Sequence, residues 1–255
     1  MYFTCLTKKG IHKCLFCLIL SLIAIISLSQ TGFHAVFAGS TLRKLPIYSV
    51  NRLDKCISIS FDCAWGVDYT DKLLEIMEKE NVKCTFFMVE FWAKKHPDYV
   101  KKISDAGHEI GTHSATHPHM NKLSNKDIEK ELTTSISVIE EITGKKVTLF
   151  RAPFGEYNDN VIEVAQSLNL STIQWDVDSL DWKNYSASKI RERVLSKVKR
   201  GSIVLFHNQG KHTAEALTSI IKSLKGDGFT FCTIGDLIYK DNYYIDNNGV
   251  QQKNL

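Results

Sequence analysis

The segment KCISISFDCAWG, residues 55–66, decides the fold class of this chain. Its first half, Lys55–Phe61, is an apolar run with the length and composition of a buried strand. Asp62 follows directly at the end of that strand. A carboxylate in this position costs free energy unless it is paired or hydrogen-bonded, so Asp62 either caps the next turn or belongs to a functional site.

The rest of the chain repeats this pattern, with strands separated by helices. Further strands are predicted at Val82–Val89, His108–Gly111, Val147–Phe150, Ser171–Trp175, Ser202–Phe206 and Thr230–Thr233. Helices are predicted at Thr70–Glu80, Lys126–Thr143, Asp159–Leu168, Ala187–Val198 and Ala214–Leu224. Such alternation predicts a parallel sheet covered by helices. We expect a distorted (β/α)7 barrel, one unit short of the full eight, with a doubly wound open sheet as the alternative.

One helix carries signals at both of its ends. Ser124 and Asp127 have the spacing of a capping box in front of Lys126–Thr143, and Gly144 follows as a C-terminal stop. The chain contains neither a GxGxxG nor a GxxxxGK[ST] motif, so the sequence supports neither a dinucleotide site nor a P-loop.

Composition limits the classes of function. Of the 255 residues, 44% are hydrophobic and 24% are charged, which is typical of a globular domain and excludes a disordered chain. The formal net charge is +4, and Lys8, Lys9 and Lys13 account for most of it. We therefore expect no nucleic-acid partner.

The N-terminal residues have the pattern of an export signal. Three lysines precede the apolar run Cys14–Ser29, and Val36-Phe37-Ala38 places small residues where a signal peptidase cleaves. Residues 1–38 are thus predicted to be a signal peptide or an N-terminal membrane anchor. We expect an exported protein that is either secreted or anchored by this segment, with no other contact to the membrane.

The remaining residues divide into a linker at 39–54, a main domain at 55–239 and a polar tail at 240–255 that we expect to be frayed. Cys56, Cys63, Cys84 and Cys232 are widely spaced and form no CxxC pair, so a disulfide framework is not expected. We expect the protein to be a monomer.

Polar side chains follow several of the predicted strands. His113 and His117 come after the third strand, and histidines four residues apart can converge on one metal ion. His207 ends an apolar strand, where a structural role is the alternative. Active-site residues of parallel barrels gather at these strand ends.

Two further loops complete the set. Arg151-Ala152-Pro153-Phe154-Gly155-Glu156-Tyr157 follows the fourth strand, and Asp176-Val177-Asp178-Ser179-Leu180-Asp181-Trp182 follows the fifth. Either could be an ordinary turn. Aromatic residues beside carboxylates, as in the second loop, are also what a carbohydrate site needs.

Taken in order, Asp, His-x-x-x-His, Arg-x-Pro-Phe-Gly, Asp-x-x-Asp-Trp and Leu-x-His-Asn resemble the polysaccharide deacetylase family with its NodB homology domain. The resemblance covers about residues 54–238. The form SFDxxWG is similar to the sporulation-associated branch, which implies a place outside the membrane of a spore-former and cortex peptidoglycan as substrate.

The resemblance implies a metal-dependent hydrolase that removes N-acetyl groups from peptidoglycan or chitin-like polysaccharide, with zinc as the ion and cobalt or manganese as alternatives. It implies that Asp62 is the general base, that His207 protonates the leaving amine, and that the N–H of Phe154 helps to hold the oxyanion. His113 and His117 would be metal ligands. The remaining roles fall to residues that orient groups or shape the pocket: Arg151 orients Asp62, Asp181 orients His207, and Trp182, Leu205 and Tyr157 contact substrate.

Cys63 departs from the family pattern, which has a second, metal-binding aspartate at this position. Cys63 could bind zinc as a thiolate. The metal could instead rest on His113 and His117 with a neighbour such as Asp68, or the site could be a relict in a protein that binds glycan without turning it over.

Overall fold

The computed structural model describes residue 12, residues 15–23 and residues 43–254. The chain divides into two units, Met1–Arg43 and Lys44–Leu255. In the first unit, residues 15–23 are helical. Among the residues described, no helix has the length and apolar character needed to cross a membrane. Most of the predicted signal peptide or anchor at 1–38, including its cleavage site, lies outside the described residues and stays a prediction.

The second unit is built around one curled parallel sheet. The strands of the whole unit are β1 (Ser49–Val50), β2 (Cys56–Cys63), β3 (Thr85–Met88), β4 (Glu109–Thr112), β5 (Leu149–Phe150), β6 (Ser171–Thr172), β7 (Val177–Asp178), β8 (Ile203–His207), β9 (Thr230–Phe231), β10 (Tyr243–Ile245) and β11 (Val250–Lys253). The main sheet has the order β6-β5-β4-β3-β2-β8-β7, and β9 pairs with the start of β2. The predicted distorted (β/α)7 barrel is confirmed.

Helices follow the strands and cover the outside of the sheet. They are α1 (Thr70–Lys79), α2 (Glu90–Lys95), α3 (Pro97–Asp105), α4 (Asn125–Thr143), α5 (Asp159–Ser167), α6 (Ala187–Leu195), α7 (Thr213–Gly226) and α8 (Ile234–Leu237). All five predicted helices are present. For α4, the Ser124 hydroxyl accepts a hydrogen bond from the Asp127 N–H, and Gly144 ends the helix in the left-handed conformation.

The central strand, β2, separates two faces with different chemistry. Ile57, Ile59 and Phe61 pack into the cluster between sheet and helices, and Cys63 belongs to the same cluster. Because side chains alternate along a strand, Ser60 and Asp62 lie on the opposite face, inside the barrel. The alternation therefore brings the Asp62 carboxylate to the barrel interior at the carboxyl end of the sheet.

The ends of the unit form a second, three-stranded sheet that the sequence did not predict. β1 pairs in parallel with β11, and β11 pairs antiparallel with β10. Residues 47–50, expected to be linker, and residues 243–253, expected to be a frayed tail, are thus ordered parts of the fold. The polar composition of residues 240–255 gave no sign of a buried strand. The Gln251 side chain can nevertheless be buried, because it forms hydrogen bonds with the N–H and the carbonyl oxygen of Tyr239.

Candidate active site

A pocket of about 620 Å³ opens at the carboxyl ends of the central strands. β2 and β8 are paired there, with Asp62 opposite His207 in register. Many of the predicted site residues line this pocket: Asp62, His113, His117, Phe154, Trp182, Leu205 and His207. The topology therefore brings together side chains that lie far apart in the sequence.

Asp62 is held by a fully buried arginine. The Arg151 Nη1–H donates to Asp62 Oδ1 at 2.7 Å, and its Nη2–H donates to Ser60 Oγ at 2.9 Å. The Arg151 guanidinium also lies over the ring of Phe87, 4.1 Å from its centroid. Burial alone would raise the pKa of the Asp62 carboxyl, but the charge of Arg151, the charges of His113 and His207 and the hydrogen bond from Arg151 together outweigh burial and lower that pKa. Asp62 is consequently a fixed carboxylate at neutral pH.

The rings of the two histidines after β4 contact each other edge to face at the pocket. His113 Nδ1–H donates to the Arg151 carbonyl oxygen at 2.7 Å, which leaves the Nε2 lone pair free, 3.6 Å from Asp62 Oδ2. The rings of His113 and His117 have their centroids 5.0 Å apart. Burial lowers the pKa of His113 to about 4 and also lowers the pKa of His117, so both imidazoles are neutral at pH 7.

The loop that carries these histidines is held by Glu131 of α4. Glu131 Oε2 accepts hydrogen bonds from the N–H groups of Ala115 at 2.9 Å and Thr116 at 2.8 Å, and Oε1 accepts one from the Thr116 hydroxyl at 2.7 Å. Both Ser114 and His117 have positive φ, which is uncommon for residues with a side chain. Sequence reasoning missed Glu131, since nothing in its helical pattern distinguishes it from other exposed carboxylates.

His207 is held from behind by Asp181. The His207 Nδ1–H donates to Asp181 Oδ1 at 2.8 Å, while Asp181 Oδ2 accepts from the His207 N–H and from the Thr213 hydroxyl. Burial alone would lower the pKa of His207, but the fully buried Asp181 carboxylate outweighs it and raises that pKa. The site thus holds a carboxylate and a readily protonated imidazole on adjacent strands.

Four predicted residues lie outside the pocket lining: Arg151 and Asp181, which are buried behind Asp62 and His207, and Cys63 and Tyr157. Cys63 is fully buried among the apolar side chains between sheet and helices, where burial and the nearby Asp62 carboxylate raise the pKa of its thiol. This placement does not favour a thiolate ligand. Tyr157 is hydrogen-bonded through its hydroxyl to Tyr48, 3.0 Å away. Asp68, the alternative ligand, is hydrogen-bonded to the Gln209 side chain.

The donor set fits a metal ion only in part. His113 and His117 present neutral imidazoles to one pocket, as zinc and similar ions require. Within the portion of the chain that the structure describes, however, no three His, Cys, Asp or Glu side chains are grouped closely enough to hold an ion. Cys63 lies in the apolar cluster and does not line the pocket with the two histidines.

Comparison with known proteins agrees with the architecture. Residues 49–173 match the family model described as polysaccharide deacetylase. The chain is 34% identical over 212 residues to the peptidoglycan-N-acetylmuramic acid deacetylase PdaA of Bacillus subtilis, covering 80% of this chain and 81% of PdaA. It is also 35% identical over 198 residues to the uncharacterized protein YlxY of Bacillus subtilis. This match covers 78% of this chain and 62% of YlxY.

A solved structure with the same fold bears on catalysis. The wild-type BA3943 protein of Bacillus anthracis, described as a CE4 family pseudoenzyme, superimposes with a TM-score of 0.73 at 38% identity, over 75% of this chain and 68% of that one. A mutant of BA3943 is described as a pseudoenzyme with restored enzymatic activity. Relatives of this chain therefore include both a named deacetylase and a protein named as inactive.

Proposed function

The chain belongs to the polysaccharide deacetylase family, and from that membership we propose that it hydrolyses the N-acetyl groups of peptidoglycan or a related N-acetylated polysaccharide. One observation carries the proposal: Asp62 and His207 lie opposite each other on paired strands, and each is hydrogen-bonded to a buried partner, Arg151 for Asp62 and Asp181 for His207. Such a pair supplies the base and the acid that amide hydrolysis needs.

The chain's own residues have distinct tasks in this reaction. Asp62, kept ionised by Arg151, takes a proton from the attacking water. His207, whose pKa is raised by the Asp181 carboxylate, delivers a proton to the nitrogen of the amine as the C–N bond breaks. Base and acid catalysis of this kind contribute about 10²–10⁴-fold each. Acetate and a free amino sugar are the products.

We propose that His113 and His117 hold a divalent ion, with zinc as the first choice and cobalt or manganese as alternatives. A bound ion of this kind supplies a Lewis acid for the amide carbonyl and lowers the pKa of water. Phe154 lies beside His117, with their ring centroids 4.6 Å apart. We propose the Phe154 N–H as a donor to the developing oxyanion, in the role that such donors play in other hydrolases.

A second candidate function is glycan binding without turnover. Cys63 favours it, because a protonated thiol within the core gives the ion no third ligand. The similarity of the chain to BA3943, which is named as a pseudoenzyme, also favours glycan binding without turnover.

Acetate release separates the two candidates. The purified protein is stripped of metal and incubated with acetylated peptidoglycan or chitooligomers, before and after addition of Zn²⁺, Co²⁺ or Mn²⁺. Release that requires metal and is lost in Asp62→Asn, with folding intact, supports the hydrolase. Glycan binding without release under any metal supports the second function, and release that survives Asp62→Asn removes Asp62 as the base.

We further propose that the catalytic unit works outside the cell membrane, as the apolar segment at 14–29 and the peptidoglycan substrates named for relatives suggest. The sporulation-like SFDxxWG form extends this proposal to cortex peptidoglycan. Mass spectrometry of protein from the envelope fraction tests it: an N-terminus at Gly39 means cleavage, an intact N-terminus in membranes means anchoring, and recovery from the cytosol overturns it.

A further inference from the structure

Exposed aromatic side chains are concentrated around the pocket. In the described part of the unit from Lys44 onward, the exposed large hydrophobic residues are Leu53, Trp65, Phe154, Trp182 and Tyr244. Of these, Trp65, Phe154 and Trp182 line the pocket and are 64%, 58% and 56% exposed. Since exposed apolar surface in one place marks a binding site, these rings indicate contact with a ligand. Phe154 and Trp182 already have roles in the proposed reaction, whereas Trp65 has none.

The Trp65 ring is held in place although it faces solvent. It packs on Phe91, with centroids 5.6 Å apart, and on its other side lies His117 at 6.4 Å. The turn behind it is fixed because Gly66 O accepts hydrogen bonds from Trp92 Nε1–H at 2.7 Å and Asn208 Nδ2–H at 3.0 Å. Both donors belong to buried residues. The ring is therefore preorganised, which lowers the entropy cost of binding a ligand against it.

The order of the strands places Trp65 to one side of the reacting groups. Trp65 follows β2 and contacts residues that come after β3 and β4. Trp182 follows β7, on the other side of β2 beyond β8. Asp62 and His207 lie between the two, on the paired strands β2 and β8. A linear chain bound across both rings would hold its middle unit over the base and the acid.

The surroundings of Trp65 suit a carbohydrate. The carboxylates of Asp62 and Asp178 line the same pocket as the aromatic rings and can accept hydrogen bonds from hydroxyl groups. The face of a pyranose ring with equatorial hydroxyls exposes polarised C–H groups, which are attracted to the negative face of an indole.

We propose that Trp65 forms a subsite for the sugar unit next to the one that reacts, and that its ligand is a β-linked chain of N-acetylhexosamines. The identity of the sugar rests on the proposed function. The subsite leads to a separate prediction: the protein binds oligomers more tightly than single sugars, and contact with Trp65 accounts for this difference in affinity.

Binding measurements on the metal-free protein test this without turnover. Isothermal titration calorimetry with N-acetylglucosamine and its tetramer gives both affinities for the wild type and for Trp65→Ala. We expect Trp65→Ala to weaken tetramer binding about tenfold, or about 1.4 kcal/mol, and to leave the monomer affinity unchanged. Trp65→Phe should keep most of the tetramer affinity because it keeps an aromatic face. Tyr244→Ala is the matched control, since Tyr244 is as exposed but does not line the pocket.

Each outcome has one meaning for the subsite. Equal tetramer affinity in Trp65→Ala and Tyr244→Ala overturns it, as does an equal loss of monomer and tetramer binding. If Trp65→Ala has a lower melting temperature than the wild type, Trp65→Phe and Trp65→Leu are compared instead. The subsite then requires that Trp65→Leu, which lacks an aromatic ring, binds the tetramer more weakly than Trp65→Phe. Trp65-dependent binding without acetate release refutes the hydrolase and keeps the subsite, whereas acetate release with Trp65-independent binding does the reverse.

Discussion

Cys63 is the residue at which the alternative functions diverge, and the alternation of β2 determines what it can do. Ile57, Ile59, Phe61 and Cys63 share the face of the strand that packs against the helices. A neutral thiol suits that environment, because an unpaired charge there would be costly. The same residue therefore packs in the apolar core and does not line the pocket beside His113 and His117.

Replacing this thiol should exchange stability for metal affinity. In Cys63→Asp we expect the metal-free protein to unfold at a lower temperature, because an unpaired carboxylate is buried. Added Mn²⁺ or Zn²⁺ should then raise the melting temperature of Cys63→Asp more than that of the wild type, since binding to the folded state alone stabilises it. Cys63→Asn has the same shape without the charge and should gain nothing. Equal metal-induced shifts in all three proteins would mean that position 63 lies outside the metal shell.

A second residue-scale prediction concerns His108, which is buried beside Cys84. Its Nδ1 accepts a hydrogen bond from the Cys84 N–H at 3.3 Å, and burial lowers its pKa to about 4. The unfolded chain has the ordinary pKa of 6.5 and so binds more protons between these values. The stabilising contribution is complete above pH 6.5 and is lost as the pH falls towards 4.

Urea unfolding at pH 7 and pH 5 measures this effect. We expect the loss of unfolding free energy between the two pH values to be about 2 kcal/mol smaller in His108→Asn than in the wild type. Because both proteins share the other histidines, the contributions of those histidines to the pH dependence cancel when the two losses of unfolding free energy are compared. An identical pH dependence in the two proteins would show that His108 titrates normally in the folded state.

At the scale of elements, α4 determines the conformation of the histidine loop. The Glu131 carboxylate fixes the backbone of Ala115 and Thr116, between the two predicted ligands. The Thr112 hydroxyl supports the same loop by donating to the Ser135 hydroxyl, also on α4, at 2.7 Å. We therefore expect Glu131 to be a positioning residue, which would act on a bound metal ion through the spacing of the two imidazoles.

Loss of this carboxylate should weaken metal binding beyond any effect on folding. We expect Glu131→Ala to bind Co²⁺ at least about tenfold more weakly than the wild type, measured by titration of the purified protein at a temperature where it is folded. Glu131→Gln can still accept the backbone hydrogen bonds and should lose less. Glu140→Ala is the matched control, because Glu140 lies on the same helix and accepts a hydrogen bond from Val147 N–H away from the site. Equal Co²⁺ affinity in the two alanine variants would assign Glu131 a structural role only.

The sequence predicted those elements whose signals are local. Ser124 and Gly144 mark the ends of α4 because capping depends on a few neighbouring residues. β7 was missed, since two residues in an Asp-rich segment carry no periodic signal and are held by pairing with β8. The helices α2 and α3 were also missed. The orientation of Cys63 could have been read from the alternation of Ile57, Ile59 and Phe61, whereas the contacts of Glu131 depend on how the loop folds back onto α4.

At the scale of the whole catalytic unit, the segment that contains β1 closes the barrel between β6 and β8. Val50 N–H donates to Gly201 O at 2.9 Å, just before β8 begins, and Ile47 bridges to Ile173 after β6. β11 then pairs with β1. These contacts join residues about 125 to 200 positions apart, so they stabilise the fold only after most of the chain has assembled.

Gln251 on β11 is the residue through which this closure can be tested. Its side chain is fully buried, accepts from Tyr239 N–H at 2.8 Å and donates to Tyr239 O at 2.9 Å. Gln251→Ala leaves both backbone groups unpaired in a buried place and opens a cavity, so we expect the free energy of unfolding to fall by about 2–4 kcal/mol. Gln252→Ala, one residue along and partly exposed, should lose less than about 1 kcal/mol. β11 pairs with β1, and β1 bridges to Ser202 just before β8 begins, whereas the pocket lies at the end of β8. Tetramer binding by folded Gln251→Ala should therefore match the wild type. Weakened binding at a temperature where the variant is fully folded would mean that the closure of the barrel also sets the shape of the pocket.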